Sequence, residues 1–333
     1  MRYSRQTRFK PIGETGQTRL TNSKVLVVGA GALGTVVLNH LVRAGVGFIR
    51  IVDRDYIELS NLQRQMLYDE DDVARALPKA LAAKEKLQKM NSTIKIEAIV
   101  SHVSPGNIGD LIADVDLVID GTDNFATRYV LNDACFQKGI PFSYGGVVSA
   151  RGMTALFRPG HTCCLRCMIK DTAGSNETCD MVGVISPAVD IVGSIQSTDA
   201  LKLLTGNTDQ IKQALTTFDM WSNQNMHINF PQPNPDCPTC QLQQYPALHM
   251  HDMQETVLCG RDTVQIHHYD SMDLKFWDQR LKSVAQTQLT PFILKAHVSD
   301  DVHFTIFPDG RVLVQGTEDI AKARTLYDRY IGS

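Results

Sequence analysis

The sequence predicts a doubly wound α/β fold with a mostly parallel sheet, an antiparallel extension and a small second α/β domain, and three observations lead there. Short apolar runs alternate with stretches of helical periodicity through residues 24–158, the pattern of a sheet covered by helices. A glycine cluster stands at the first passage from an apolar run to a helical stretch. Only Ser149 to Gly152 separate the runs 142–148 and 153–157, too few residues for the crossover that parallel neighbours need.

Taken in order, residues 25–28 form an apolar run, the glycine cluster turns the chain, and Leu33, Val37 and Leu41 recur at helical spacing as far as Gly45. A glycine there supplies the left-handed conformation of a helix C-cap. A second run at 48–52 completes a strand, helix, strand unit. Further strands are expected at 94–100 and 116–120, then at 142–148 and 152–158, with a helix starting at Pro78. Residues 159–186 hold Pro, Gly, Ser, Asn and four cysteines with little periodicity, and read as a long functional loop. A helix follows from about 187 to 204 and stops at Gly206. The segment 231–240 closes the large domain, a composition break at 241–254 reads as a linker, and the domains are set at 1–245 and 246–333. In the second domain strands are expected around Val264 and at 292–294, 303–307 and 312–314, with a turn at Pro308-Asp309-Gly310 and helices at 272–285 and 317–330.

With 43% hydrophobic and 21% charged residues the composition is that of a soluble globular protein. The net charge of −3 provides no global field toward nucleic acid or anionic lipid, so neither is an expected partner. The start MRYSRQTRF has no apolar h-region, and no apolar run approaches the roughly 20 residues of a spanning helix. A cytoplasmic protein is expected. Eight cysteines in a reducing compartment are then read for metal or thiol chemistry.

Gly29-Ala30-Gly31-Ala32-Leu33-Gly34 follows a strand and opens a helix, and Asp53 ends the next strand. Such a turn lets backbone N–H groups approach a phosphate, while the acidic residue can accept from ribose hydroxyls. Alone it also fits a merely tight turn, or a nicotinamide site. Three further segments narrow the reading: Ser60-Asn61-Leu62-Gln63-Arg64-Gln65, then Leu77-Pro78-Lys79, then Gly121-Thr122-Asp123-Asn124. Lys79, just after a proline suited to a helix start, puts a cation where the helix dipole disfavours one, and an anionic ligand resolves the conflict. Arg64 suits bidentate contact with phosphate oxygens, and Asp123, after a strand, stands where a Mg²⁺ ion can be held. Taken singly, Asn61 also reads as an N-cap and Lys79 as a surface charge.

These ordered segments, with Arg2-Tyr3-Ser4-Arg5-Gln6 at the start, resemble the MoeB/ThiF family, relatives of the ubiquitin-activating enzymes. The resemblance implies a Rossmann-like fold, ATP as substrate with Mg²⁺, and adenylation of the C-terminal glycine carboxylate of a ubiquitin-like sulfur-carrier protein. It implies nucleotide contacts from Gly29, Gly31, Ala32, Gly34, Asp53, Asp55, Asn61, Arg64, Gln65, Lys79, Asp123 and Asn124. It also implies catalytic roles for Arg64, Lys79, Asp123 and Cys179, and a homodimer in which Arg5 reaches the partner's nucleotide. The molybdopterin-synthase small subunit is the preferred carrier and the thiamin carrier the second. Where the family commonly has Gly, this chain has Ala32 and Ala76, and altered loop geometry is expected. The competing readings are an NAD(P)-dependent oxidoreductase and a non-catalytic subunit that binds a ubiquitin-like protein.

Cys164-Leu165-Arg166-Cys167 and Cys237-Pro238-Thr239-Cys240 have the spacing of a four-thiolate zinc site, structural because no position stays open. Redox dithiols are the alternative. Cys163 reads as a bystander and Cys135 as core. Cys179, ahead of Gly183-Val184-Ile185-Ser186-Pro187, matches a family segment whose cysteine carries a covalent link in ThiF-like members and is dispensable in MoeB-like ones; an unreactive loop thiol is the other reading. The C-terminal region resembles the small extension of Gram-positive-type members. It shows no cysteine opening a C-x₅-R loop, so a separate sulfur donor is expected. Cys259 reads as part of a strand-end turn, and His249, His251, His267 and His268 as surface residues.

Overall fold

The computed structural model describes residues 2–169, 182–250, 255–258, 262–267, 271–299 and 301–332. The readings placed on Cys179, His251, Cys259 and His268 lie outside the described residues. The chain divides near residue 251 into two compact units.

In the larger unit, helices α1 (Ser4–Thr7) and α2 (Gly13–Asn22) precede β1 (Lys24–Val28), α3 (Ala32–Ala44) and β2 (Phe48–Asp53). Then come α4 (Glu70–Ala74), α5 (Lys79–Met90), β3 (Lys95–Val100), α6 (Ile108–Leu111), β4 (Leu117–Asp120) and α7 (Phe125–Lys138). The unit continues through β5 (Phe142–Val148), β6 (Arg151–Phe157), α8 (Leu165–Met168), α9 (Ser186–Thr205), β7 (Ala214–Asp219) and β8 (Gln224–Asn229). The sheet order is β3-β2-β1-β4-β5-β6-β7-β8. Pairing is parallel as far as β5 and antiparallel beyond it, so the antiparallel extension is present and is two strands longer than the sequence suggested. β8 is exposed along its whole length, although Met226 and Ile228 alternate with polar residues along it.

In the middle of the sheet both faces are covered, because β1, β4 and β5 are buried on both sides. On one face Leu26, Val28, Val52 and Val118 pack with Leu131 and Cys135 of α7, so Cys135 is core as expected. On the other, Leu33 and Val36 of α3 meet Ala188, Val189 and Val192 of α9. Gly45 and Gly206 close α3 and α9 in the left-handed conformation, at φ +85° and +88°. The helix expected from Pro78 begins one residue later, with Pro78 as its extended N-cap. Because the chain runs outward from β1 to β3 and then returns to place β4 beside β1, the sheet has its topological switch point between β1 and β4. In open α/β sheets, ligands bind at the strands' carboxyl ends at that point.

The smaller unit comprises β9 (Glu255–Leu258), β10 (Thr263–His267), α10 (Leu274–Leu281), β11 (Gln286–Leu289), β12 (Leu294–His297), β13 (His303–Ile306), β14 (Arg311–Gln315) and α11 (Ile320–Tyr330). Its strands form one antiparallel sheet, ordered β11-β12-β13-β14-β10-β9. Val264, Ile266, Phe304, Ile306, Val312 and Val314 alternate inward against Ala323 and Tyr327 of α11. Both helices are shorter than their periodicity suggested. Asp273 and Asp319 cap them, each accepting two backbone N–H bonds, and so fix their starts. Among the described residues no helix is long and apolar enough to cross a membrane.

Candidate functional site

The glycine cluster lies at the switch point. Gly29, at φ +89°, donates its N–H to the Val52 carbonyl at 2.8 Å, and Gly121 donates to the Val28 carbonyl at 2.8 Å. A Cβ on Gly29 would stand 2.7 Å from the Gly121 oxygen, and one on Gly34 would stand 1.8 Å from the Gly29 oxygen. The ends of β1 and β4 and the first turn of α3 thus close on one another through bare backbone. Gly31 is the N-cap of α3, and no side chain caps that helix. Its first-turn N–H groups and the positive end of its dipole are suited to an anion.

Asp53 braces this turn. Its Oδ2 accepts from Ala30 N at 2.6 Å and its Oδ1 from Asp55 N at 2.7 Å. Burial pushes its carboxyl above the usual range, and the nearby Lys79 ammonium opposes that shift. Lys79 begins α5, its side chain is 4% exposed, and its Nζ stands 3.2 Å from Asp55 Oδ2. The Lys79 N–H also donates to the Asp55 carbonyl at 2.8 Å. Tyr68, buried, places its hydroxyl 2.7 Å from the Ala30 carbonyl and 3.1 Å from the Lys79 carbonyl, linking the glycine turn to the start of α5. Just before α5, Ala76 takes φ +49°, the left-handed conformation that glycine favours. The loop therefore has a glycine-type backbone at this position in spite of its alanine.

Asn61 is buried and is the third residue of a short helical turn whose N-cap is Glu58; its Oδ1 reaches back to accept from Glu58 N at 3.2 Å, so Asn61 completes a capping box and is not itself the N-cap of the alternative reading. Arg64 is half-buried and donates to the Ser60 carbonyl at 3.0 Å. Gln65 is 4% exposed, and among the described residues its Oε1 has no partner. Its Nε2 is the one atom within 4 Å of a Cβ built on Gly31.

The loop after β4 is set by a pair that sequence reasoning missed. Asp120, fully buried, accepts from the Thr122 N–H at 2.8 Å and its hydroxyl at 2.6 Å, and from Arg128 Nε at 3.0 Å. Arg128 also donates to the carbonyls of Thr122 at 2.7 Å and Gly145 at 3.0 Å, between the rings of Phe125 and Tyr144. Burial raises the Asp120 carboxyl while Arg128 opposes it. Asp123 is exposed on this loop, and Asn124 caps α7 by accepting from Thr127 N at 2.9 Å.

Arg5 is not brought to this site within one chain. It is exposed on α1, whose neighbouring side chains attach to the far ends of the site's helices. Gln6 donates to the Ala44 carbonyl, Arg2 donates to the Met90 carbonyl, and Tyr3 accepts from Asn91. Gly31 and Lys79 stand at the opposite ends, and the 13 residues of α3 span about 20 Å.

The four expected cysteines do come together. The Sγ atoms of Cys164, Cys167, Cys237 and Cys240 all lie within 4.8 Å of one another, with 3.5 Å between Cys164 and Cys237 and between Cys167 and Cys240. Sulfurs on a tetrahedron with Zn–S of about 2.3 Å would be about 3.8 Å apart, so the cluster fits zinc. Cys163 is buried and outside the set, its thiol pushed up to about 12 by burial. Each C-x-x-C segment, 164–167 and 237–240, forms a knuckle of the cluster, and both knuckles are gripped from α7, by Asn132 and Asp133.

The ThiF family profile matches residues 3–239. The sulfur carrier protein ThiS adenylyltransferase of Bacillus subtilis is 43% identical over 336 residues, covering 99% of each chain and so both units. The SAMP-activating enzyme E1 of Haloferax volcanii is 36% identical over 72% of this chain and 88% of its own. Among solved structures, Escherichia coli MccB with ATP matches with a TM-score of 0.63 at 24% identity, covering 72% of this chain and 74% of that one, a likeness of fold.

Proposed function

We propose, since the chain belongs to the ThiF family, that it is an ATP-dependent adenylyltransferase acting on the C-terminal glycine carboxylate of a ubiquitin-like sulfur-carrier protein. The observation that carries this reading is Lys79, a buried cation in the first turn of a helix with a half-exposed carboxylate on its ammonium. A polyphosphate arriving at the uncapped start of α3 gives that ammonium a better partner than Asp55. In the reaction a carboxylate oxygen of the carrier attacks the α-phosphorus. The bond to the bridging oxygen breaks, and pyrophosphate leaves with the electron pair.

Lys79 and Arg64 offset the charge that develops on the phosphates, and the α3 amides hold them in place. Each Asp53 oxygen takes one backbone N–H, which leaves lone pairs for ribose hydroxyls. Asp123 is the residue we assign to Mg²⁺, which when bound supplies charge neutralisation to the leaving pyrophosphate. Gln65 and Asn61 complete the nucleotide contacts, and the four cysteines hold a structural zinc. The placement of Arg5, remote from its own glycine turn, supports a homodimer in which Arg5 serves the partner's site. Mixing Arg5→Ala with Lys79→Ala protein should then restore part of the activity.

For the carrier we favour the thiamin type, because the full-length likeness is to a ThiS adenylyltransferase. The molybdopterin-type carrier, preferred in the sequence reading on overall resemblance, is the comparison to run beside it. Cys179 is assigned to capture after adenylation, when sulfur from a separate donor enters, so Cys179→Ala should keep pyrophosphate exchange. No observation favours the nicotinamide reading. The test is ATP–pyrophosphate exchange with and without each carrier ending in Gly-Gly. Carrier-dependent exchange is expected, and a chain that binds ATP and carrier without exchange overturns the proposal.

A further inference from the structure

Asp133 lies in α7, has no exposed surface, and belongs to none of the motifs above. A lone buried carboxylate is costly, and its surroundings show what offsets it. Arg166, the third residue of the first knuckle, approaches with Nε at 3.2 Å from Oδ1 and its terminal nitrogen at 3.1 Å from Oδ2. Thr239, the third residue of the second knuckle, donates its hydroxyl to Oδ1 at 2.6 Å. The Ala247 N–H donates to Oδ2 at 2.8 Å, and Asn132 donates to Oδ1 at 3.0 Å. The neighbouring Asn132 accepts from the Leu165 N–H at 2.9 Å, so adjacent residues of α7 hold the first knuckle at two points. Arg166 also lies over the Tyr129 ring, 4.3 Å from its centre.

The two knuckles are 73 residues apart in sequence and meet on one carboxylate. Each oxygen of that carboxylate faces donors only. An amide in its place would turn an NH₂ toward a donor in either orientation, so the site needs an acceptor at both oxygens and not merely the shape of the side chain.

We propose that Asp133 is the positioning residue of the four-cysteine site: it docks both knuckles on α7 so that the thiolates are gathered before and after the metal binds. The proposal rests on the zinc reading of those cysteines. Its physical content is that ordering the ligands is largely complete without the ion, which raises affinity and slows release. The same helix opens at Asn124, next to Asp123, so the metal cluster and the loop at the switch point share one rigid frame.

The test measures transfer of zinc from the full-length protein to a colorimetric chelator, and the thiolate-to-metal absorption of the cobalt-substituted protein. Asp133→Asn and Thr239→Val should release zinc faster than wild type, by roughly 10- to 100-fold for Asp133→Asn and less for Thr239→Val, with weakened or shifted cobalt bands. Cys135→Ala serves as control, since it loosens the buried apolar face of the same helix without removing a hydrogen bond to either knuckle. It should leave zinc release and the cobalt spectrum as in wild type. Equal release from wild type and both knuckle variants overturns the proposal. So does a Cys135→Ala protein that loses zinc as fast as Asp133→Asn, because general loosening would then explain the effect. If Asp133→Asn fails to fold, Thr239→Val decides on the same readings. Wild-type protein that purifies without zinc and takes none up overturns the zinc reading itself, and this one with it.

Discussion

At the glycine turn, segments distant in sequence close backbone against backbone, with Gly29, Gly34 and Gly121 leaving no room for a side chain between them. At the four-cysteine cluster, equally distant segments meet through side chains, four thiols and the carboxylate of Asp133. The first site is fixed by sterics and the protein's own hydrogen bonds. The second gathers polar and ionisable groups whose mutual cost is offset only when charges and ligands are complete. Damage to the turn should therefore remove fold and chemistry together, damage to its charged rim chemistry alone, and damage to the cluster stability first.

The steric side of this contrast is broken most directly by Gly34→Ala. The added methyl would meet the Gly29 carbonyl oxygen at 1.8 Å, and the obstacle is backbone that also carries β1 into α3. A loss of about 3 kcal/mol or more is expected, at or beyond the upper end for overpacking. Urea denaturation measures it, and a midpoint equal to wild type would refute the claim that this turn depends on its close backbone packing.

Next in size is the loss of charge at the rim. Lys79→Ala and Arg64→Ala should reduce pyrophosphate exchange by roughly 10²- to 10³-fold, the usual scale for one electrostatic contact to a transition state. Circular dichroism should report an unchanged fold for Arg64→Ala. Lys79→Ala also removes the cation that opposes the upward shift of Asp53, so some loss of stability accompanies it. Full exchange activity in either variant would remove that residue from the catalytic set.

On the metal side, stripping the ion with a strong chelator should cost roughly 2–3 kcal/mol, a fall of roughly 5–10 °C in the midpoint of the larger unit. Added zinc should reverse it. No residue of the glycine turn is a ligand, so ATP binding measured below the new midpoint should persist. Nucleotide binding lost in parallel with zinc, at a temperature where the chain is still folded, would show that the two regions are not separable in this way.

What the sequence made legible follows the same division. The turn announces itself because glycines at fixed spacing after an apolar run have few other uses, and the cysteines do so because C-x-x-C pairs are rare and local. The buried carboxylates do not. Asp120 meets Arg128 eight residues on, and Asp133 meets Arg166, Thr239 and Ala247 at separations of 33, 106 and 114 residues. No periodicity records such partners; only the tertiary fold creates them. The hairpin of β7 and β8 was missed although Met226 and Ile228 alternate with polar residues, and the left-handed Ala76 because residue type argued against it while its surroundings prevailed. Asn124 serves as helix cap within the very motif that suggested a ligand contact, which shows how one residue type satisfies both readings at a helix start.

The smallest expected effect falls on the one hydroxyl that joins the turn to its charged rim. Tyr68 is buried and can donate one proton, and the Ala30 carbonyl at 2.7 Å is the nearer of its two acceptors. Ala30 is thus held on both sides, its N–H by Asp53 and its carbonyl by Tyr68. Tyr68→Phe keeps the ring and its packing but removes that second hold, at a cost of about 1 kcal/mol for one buried hydrogen bond. If the hold matters chiefly for the nucleotide, the cost appears as a rise of roughly fivefold in the KM for ATP with kcat little changed, because a uniform binding contact has been weakened. If it matters chiefly for the fold, the cost appears in the denaturation midpoint and KM stays as it was. Tyr68→Phe protein matching wild type in both would mean that the turn needs no tie to α5, and that its bare backbone packing is sufficient for the site.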